Sequence, residues 1–378
     1  MDKLQQKIRI GMVGGGQGAF IGNVHRIAMR ISDQFSLEAA CFSADPQRAL
    51  ASAAEIGISP ARSYPNYQAM AQAEAARQDG ITAVVIVTPN HLHFPIAKCF
   101  LEQGIHVICD KPLTLGSAET RELITLSQSL DKHLFVTYNY TGYPMIREAR
   151  ERVRCGDLGE IRIIQVEYSQ DWLATALEQS GQKQASWRTD PKQAGAAGCL
   201  GDIGVHAFNL AHFVSGMTPI KIAADLHSFV QGRVLDDHAH VLMRYANGAR
   251  GSLLSSQVAV GKENHLRLQI FGDKGALDWC QEHPNQLHFA TLEGATQVLS
   301  RARHPISQAS RDVSLIPAGH PEGYLEAFAV LYREFAHALA APVASHAVHS
   351  ALPAYVDLCF IEACIRSSAQ DSAWTALT

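Results

Sequence analysis

The chain has 378 residues, 47% of them hydrophobic and 18% charged, with a formal net charge of −4 at pH 7. A chain of this length exceeds the size at which one hydrophobic core stops growing, so two domains are expected, and the apolar content excludes a disordered protein. There is no basic block to attract nucleic acid and no apolar run of membrane-spanning length, so neither is expected as a partner.

The N-terminus runs from a charged leader into a short apolar strand without signal-peptide features, and the eight cysteines are scattered with no C-x-x-C pair. A cytoplasmic protein with reduced thiols and no bound metal is expected. From Ile8 short apolar runs alternate with helical text: IRIGMV, a helix from about Ile21, LEAACFS, and later AVVIVT, HVIC and LFVTY. Strands alternating with helices predict a parallel sheet covered on both faces, with its ligand edge at the carboxyl ends of the strands. The run GGGQGAFIG, residues 14 to 22, closes the first strand, and a backbone without side chains there can approach a pyrophosphate at a helix N-terminus. Gly14 and Gly16 fit the first two fingerprint positions. The third falls on Ala19 in strict register or on Gly22 after a three-residue insertion, and Gly22 is preferred because the helical pattern continues from it.

Ser43 closes the second strand about twenty residues beyond Gly22, where this fold places the side chain that reads the ribose. An acid there accepts from the ribose hydroxyls of NAD and repels the extra phosphate of NADP; Ser43 does neither. Arg48 either reaches a 2′-phosphate or is an ordinary solvated helix residue, and Asp45 is an alternative ribose acceptor. The expected cofactor is therefore NAD or NADP. Two further strand ends carry polar text, PNHLH at 89–93 and DKP at 110–112. Lys111, between an acid and a proline, is either a surface charge or an ammonium that polarises a hydroxyl about to lose hydride.

From Leu158 the pattern changes. IRIIQVEYSQ, HAHVLMRY, ARGSLLSSQ, HLRLQIFG and ALDWC alternate over short lengths between turn signals, predicting a largely antiparallel open sheet. Within GAAGCLGDIGVHAFNL, residues 195–210, a helix after Cys199 places Asp202 and His206 on one face, one turn apart. Read alone, the pair is an N-cap and a core histidine, or a catalytic pair. The polar stretch 170–198 carries Trp172, Lys183, Trp187, Arg188 and Asp190. It reads as a loop covering a substrate, since aromatic faces pack on sugar rings, or as a subunit contact. GHPEGYLEAF offers a second rim in His320 and Glu322, unless Glu322 merely opens the next helix. DDHAH at 236–240 reads as a strand start without a third metal ligand.

Together these motifs resemble the glucose-fructose oxidoreductase and inositol dehydrogenase family, Gfo/Idh/MocA. The resemblance rests on Ile8 to Gly22 followed by His25, on Thr88, Pro89, Asn90 and His93, on Asp110, Lys111 and Pro112 for the family's E-K-P, and on Asp202 and His206 for its D-x-x-x-H. This chain differs in the phosphate-loop insertion, in Asp110 for Glu, in Ser43, and in Asn209 where members commonly carry an acid. The implied fold is α/β: an N-terminal Rossmann doubly wound parallel sheet over residues 1–138, and a C-terminal α+β domain over 139–378 with a large, mostly antiparallel open sheet used for association, as a homodimer or homotetramer. The resemblance assigns Lys111, Asp202 and His206 to catalysis, and Gly14, Gly16, Gly22, Thr88, Pro89, Asn90, His93 and Asp110 to the cofactor; Ser43 and Arg48 join the cofactor residues by their place after the second strand. Trp172, Trp187, Arg188 and His320 are the expected substrate contacts. The implied activity is NAD(P)-dependent oxidation of a ring secondary alcohol of a cyclic polyol, sugar or glycoside. An NAD-dependent glycoside hydrolase is the alternative within the family, and a non-catalytic cofactor-binding regulator the alternative of another class.

Overall fold

The computed structural model describes residues 7–341 and 351–377. Ile8–Gly14 (β1), Phe35–Cys41 (β2), Ala83–Val87 (β3), His106–Cys109 (β4) and Leu134–Val136 (β5) form a parallel sheet in the order β2-β1-β3-β4-β5. All five residues of β3 are buried, as a strand covered on both faces requires. The chain leaves β1 toward β2 on one side and reaches β3 on the other, so the topological switch point lies between β1 and β3. Gly14 pairs with Val87 there, and the turns after these two strands leave the sheet side by side.

The chain divides into two units, Met1–Thr137 with Phe328–Tyr355, and Tyr138–Ala327 with Val356–Thr378. The segment from Phe328, assigned to the second domain from sequence, joins the first unit because its aromatic residues complete that core. Phe335 stacks on Phe135 at 4.6 Å between ring centroids, and Tyr332 meets Phe35 edge-on at 5.4 Å. Burial lowers the pKa of His25 to about 4, and its Nδ1 lies 2.7 Å from the Tyr332 hydroxyl.

The second unit is built on Ile161–Ser169 (β6), Lys221–His227 (β7), His238–Arg244 (β8), Arg250–Ser256 (β9), His265–Gly272 (β10), Gly275–Cys280 (β11), Gln286–Thr291 (β12), Gln297–Ser300 (β13) and Thr375–Ala376 (β14). Their order is β13-β12-β11-β10-β6-β9-β8-β7-β14, and β6–β9 is the parallel pair in an otherwise antiparallel sheet. Leu266, Leu268 and Ile270 of β10 point into the core while the residues between them face outward. The helix Val205–Ser215 contributes Phe208 and Leu210 to that core, Phe208 stacking on Phe360 at 3.9 Å. Among the described residues no helix is long and apolar enough to cross a membrane.

Candidate active site

At the sheet edge of the first unit, Gly14, Gly15 and Gly18 all have positive φ, which side chains disfavour. A β-carbon on Gly22 would overlap the Gly15 backbone, so Gly22 lets the helix Phe20–Ser32 start against the turn. Ala19 is the N-cap residue, with no side chain capping the helix start. A β-carbon on Gly16 would stand 2.8 Å from Ser52 Oγ, which already accepts from the Gln17 N–H at 3.0 Å. A turn without side chains before an uncapped helix start is the chemistry an anionic pyrophosphate needs. Thr88 Oγ1, at the end of β3, is buried without a protein partner and so suits a ligand atom. The residues fit a dinucleotide.

The remaining polar groups of this edge are tied together. His93 is buried, with Nδ1 2.8 Å from the Pro112 carbonyl and Nε2 2.9 Å from the Thr88 carbonyl. It clamps the turns after β3 and β4, with no ring nitrogen left for a ligand. Asp110 Oδ1 accepts from Thr137 Oγ1 at 2.7 Å, and Lys111 follows, half-buried. Pro89 precedes a short helical turn that begins at the buried Asn90. Beyond β2, Ser43 Oγ accepts from the Asp45 N–H at 3.1 Å, and Asp45 caps the helix Pro46–Ile56 by accepting from the Arg48 N–H at 2.9 Å. Asp45 is thus engaged as a cap, and Arg48 is exposed on the first turn of that helix.

In the second unit, Asp202 lies not on a continuous α-helix but on a π-helical turn, Leu200–Gly204, that leads into the helix bearing His206. Such turns are rare and cluster at functional sites. Asp236 holds the turn's start, accepting from Gly198 N at 2.6 Å and Leu200 N at 2.8 Å, and burial pushes its carboxyl up to about 6. The DDHAH text therefore begins with a helix cap. His238 and His240 contact each other at 3.4 Å at the start of β8.

Two donors converge on Asp202 Oδ2: Gln257 Nε2 at 2.9 Å and Arg188 Nε at 3.2 Å. The Arg188 guanidinium stacks over Trp187 at 4.2 Å and lies 6.0 Å from the Trp172 ring centroid. His206 is buried among tyrosines, edge-on to Tyr140 at 5.0 Å and near Tyr168 at 6.3 Å and Tyr138 at 6.5 Å. The Tyr140 and Tyr168 hydroxyls meet at 2.5 Å, and Tyr168 donates to Asn264 Oδ1 at 2.8 Å. Burial raises the pKa of both phenols, which stay neutral donors.

Several expectations are corrected. The stretch 170–198 is no open loop: it contains the short helices Leu177–Ser180, Lys183–Arg188 and Pro191–Ala194, and Asp190 caps the last of these. Glu322 does not face a ligand. It is buried, and its Oε1 takes the N–H groups of Leu315 and Ile316 at 2.6 Å each and Arg301 Nη1 at 3.1 Å. His320 is exposed, with its carbonyl accepting from Arg301 at 2.6 Å. His265, Cys280 and Glu282 bring ligand-type atoms within 4.8 Å of one another, but His265 Nδ1 and Glu282 are already paired at 2.7 Å.

Residues 8–138 match the oxidoreductase family with NAD-binding Rossmann fold, and residues 146–278 match the GFO/IDH/MocA C-terminal domain. The chain belongs to the Gfo/Idh/MocA family of oxidoreductases, and its first unit is an NAD-binding Rossmann domain. It is 35% identical to the uncharacterized oxidoreductase YfiI of Bacillus subtilis (strain 168), over 98% of this chain and 97% of that one. The crystal structure of an inositol dehydrogenase homolog complexed with NAD+ from Azotobacter vinelandii superposes with a TM-score of 0.95, at 34% identity and full coverage of both chains. The same homolog has also been solved with NADH and myo-inositol. Levoglucosan dehydrogenase in complex with NADH and levoglucosan superposes with a TM-score of 0.85, at 25% identity over 99% of this chain and 100% of that one.

Proposed function

We propose that this oxidoreductase oxidises a ring secondary alcohol of a neutral cyclic polyol, sugar or glycoside. The observation that carries the reading is the Arg188–Asp202 pair on the faces of two tryptophans. It presents a carboxylate for hydroxyls beside flat apolar rings, while the guanidinium's charge is already matched. The myo-inositol and levoglucosan held by the similar structures are ring polyols of this kind.

A bound nicotinamide would supply the hydride acceptor for the carbinol carbon. The chain's own groups handle the proton and the charge. His206, as neutral imidazole, takes the hydroxyl proton, the Lys111 ammonium stabilises the charge developing on that oxygen, and Asp202 accepts from a hydroxyl. Gly14 and Gly16 would hold the pyrophosphate, with Gly22 letting the helix start approach it; His93 shapes the cofactor edge through the two turns it clamps. Exposed apolar side chains on the large sheet, Ile163, Leu242 and Val298, support its use for association with a second copy.

Initial rates on matched neutral and anionic sugars test the substrate class. Neutral inositols or pyranoses are expected to be preferred. A uronate or sugar phosphate preferred by orders of magnitude, with the preference abolished in Arg188→Ala, would overturn the reading. For the cofactor, Ser43→Asp is expected to shift preference toward NAD, because it adds an acceptor for ribose hydroxyls and a charge against a 2′-phosphate. Affinities for NAD and NADP in the variant measure this; an unchanged NADP affinity removes Ser43 from the ribose site.

A further inference from the structure

Behind His206 lies a carboxyl that the chemistry above does not use. Asp357, on the helix Leu352–Ser368, has no solvent exposure. Its Oδ2 accepts from Asn209 Nδ2 at 2.9 Å, and the Tyr138 hydroxyl also hydrogen-bonds to it. Its Oδ1 is buried without a partner. Both partners lead to His206. Asn209 stands one turn further along the same helix, on the same side, and the Tyr138 ring meets the imidazole edge-on at 6.5 Å and 89°.

We propose that Asp357 is a positioning residue for His206, acting through Tyr138 and Asn209 to hold the imidazole and giving it a second, buried proton-binding neighbour. The proposal rests on the reading of His206 as the base. An unsatisfied buried carboxylate oxygen is costly, and protonating that group removes its charge and so lowers the cost. In line with this, burial pushes Asp357 up to about 7. Tyr138 and the uncharged Asn209 face Asp357, and Tyr138, Tyr140 and Tyr168 are among the groups facing His206, with Asp202 acting on the last two. Burial raises the pKa of Tyr140 and Tyr168, so these two phenols stay neutral while Asp357 changes charge. Ionised, it favours the imidazolium; protonated, it does not, and the two groups then titrate as a coupled pair.

The test is the imidazole titration of His206 in the full chain carrying isotope-labelled histidine, followed by NMR and assigned by the resonance lost in His206→Gln. The wild-type curve is expected to be broad, spanning two proton steps. Asp357→Asn keeps the shape of the side chain and removes its proton, so its curve should be a single step with the midpoint lower by about half a pH unit or more. Tyr138→Phe cuts the phenol link and should move the curve in the same direction; it carries the test alone where Asp357→Asn fails to fold. A midpoint unchanged or raised in the folded variants overturns the proposal. Because the titration needs no substrate, its failure is separate from a failure to find dehydrogenase turnover.

Discussion

Replacing His206 by alanine is expected to leave the fold and cofactor affinity in place while lowering kcat about 10²- to 10⁴-fold, the usual contribution of a positioned proton acceptor. The side chain is largely buried against three tyrosines, so truncation opens space inside a packed ring cluster. Lys111→Ala should lose turnover on a similar scale by a different route, since an ammonium that stabilises developing negative charge acts on the transition state more than on bound substrate. Neither change touches the glycine turn, so NADH binding followed by fluorescence should match wild type. Initial rates at saturating substrate check both: a variant with near wild-type kcat removes its residue from the mechanism, and a rise in KM alone reassigns it to binding.

What could be read from the sequence, and what could not, follows from how local each signal is. Gly22 was legible because the helical pattern resumes at it, and the overlap of any Gly22 side chain with Gly15 gives the physical reason. The strands β1 to β5 were legible because each is a short apolar run between helical segments. The strands β7, β12, β13 and β14 were missed: β7 carries small alanines, and β14 is two residues long. The π turn under Asp202 was illegible because one turn is too short to separate its period from that of an α-helix. The contacts around the site were hidden for a different reason. Gln257 lies just beyond β9, Asp236 just before β8 and Tyr168 on β6, so only the sheet's pairing brings them to the helix that bears His206. One local signal was available: the YNYTGYP run from Tyr138 to Pro144 places three tyrosines directly after the last parallel strand, at the edge where ligands bind. Glu322 was open to two readings, a rim acid or the opener of the next helix, because Arg301 and the Leu315 and Ile316 N–H groups that engage it are brought close only by the fold.

Arg233→Ala is expected to destabilise the second unit by about 3–5 kcal/mol and to loosen the segment that covers Asp202. The Arg233 side chain is 1% exposed and makes a full set of bonds: Nη1 to the Leu173 carbonyl at 3.0 Å and to Asp237 at 3.1 Å, Nη2 to the Thr175 carbonyl at 3.1 Å, and a two-pronged contact with Glu178 at 2.9 and 3.0 Å. Asp237 is equally buried and also takes the N–H groups of Phe229 and Val230, so removing the arginine leaves a buried carboxylate with only neutral donors. Arg233→Lys keeps the charge but cannot reproduce the fork, and should fall between wild type and alanine. Adding Asp237→Asn to Arg233→Ala removes the stranded charge while keeping an acceptor for one of the two N–H groups, and should recover part of the loss. The second consequence follows from where the bonds go. Leu173, Thr175 and Glu178 begin the stretch that carries Trp187 and Arg188, so their release should raise KM for a ring substrate more than it lowers kcat. Thermal melts give the first effect and hydrogen exchange at residues 173–178 gives the second. A variant that melts with wild type and keeps those amides protected would show that the cover is held by its own short helices and not by this arginine.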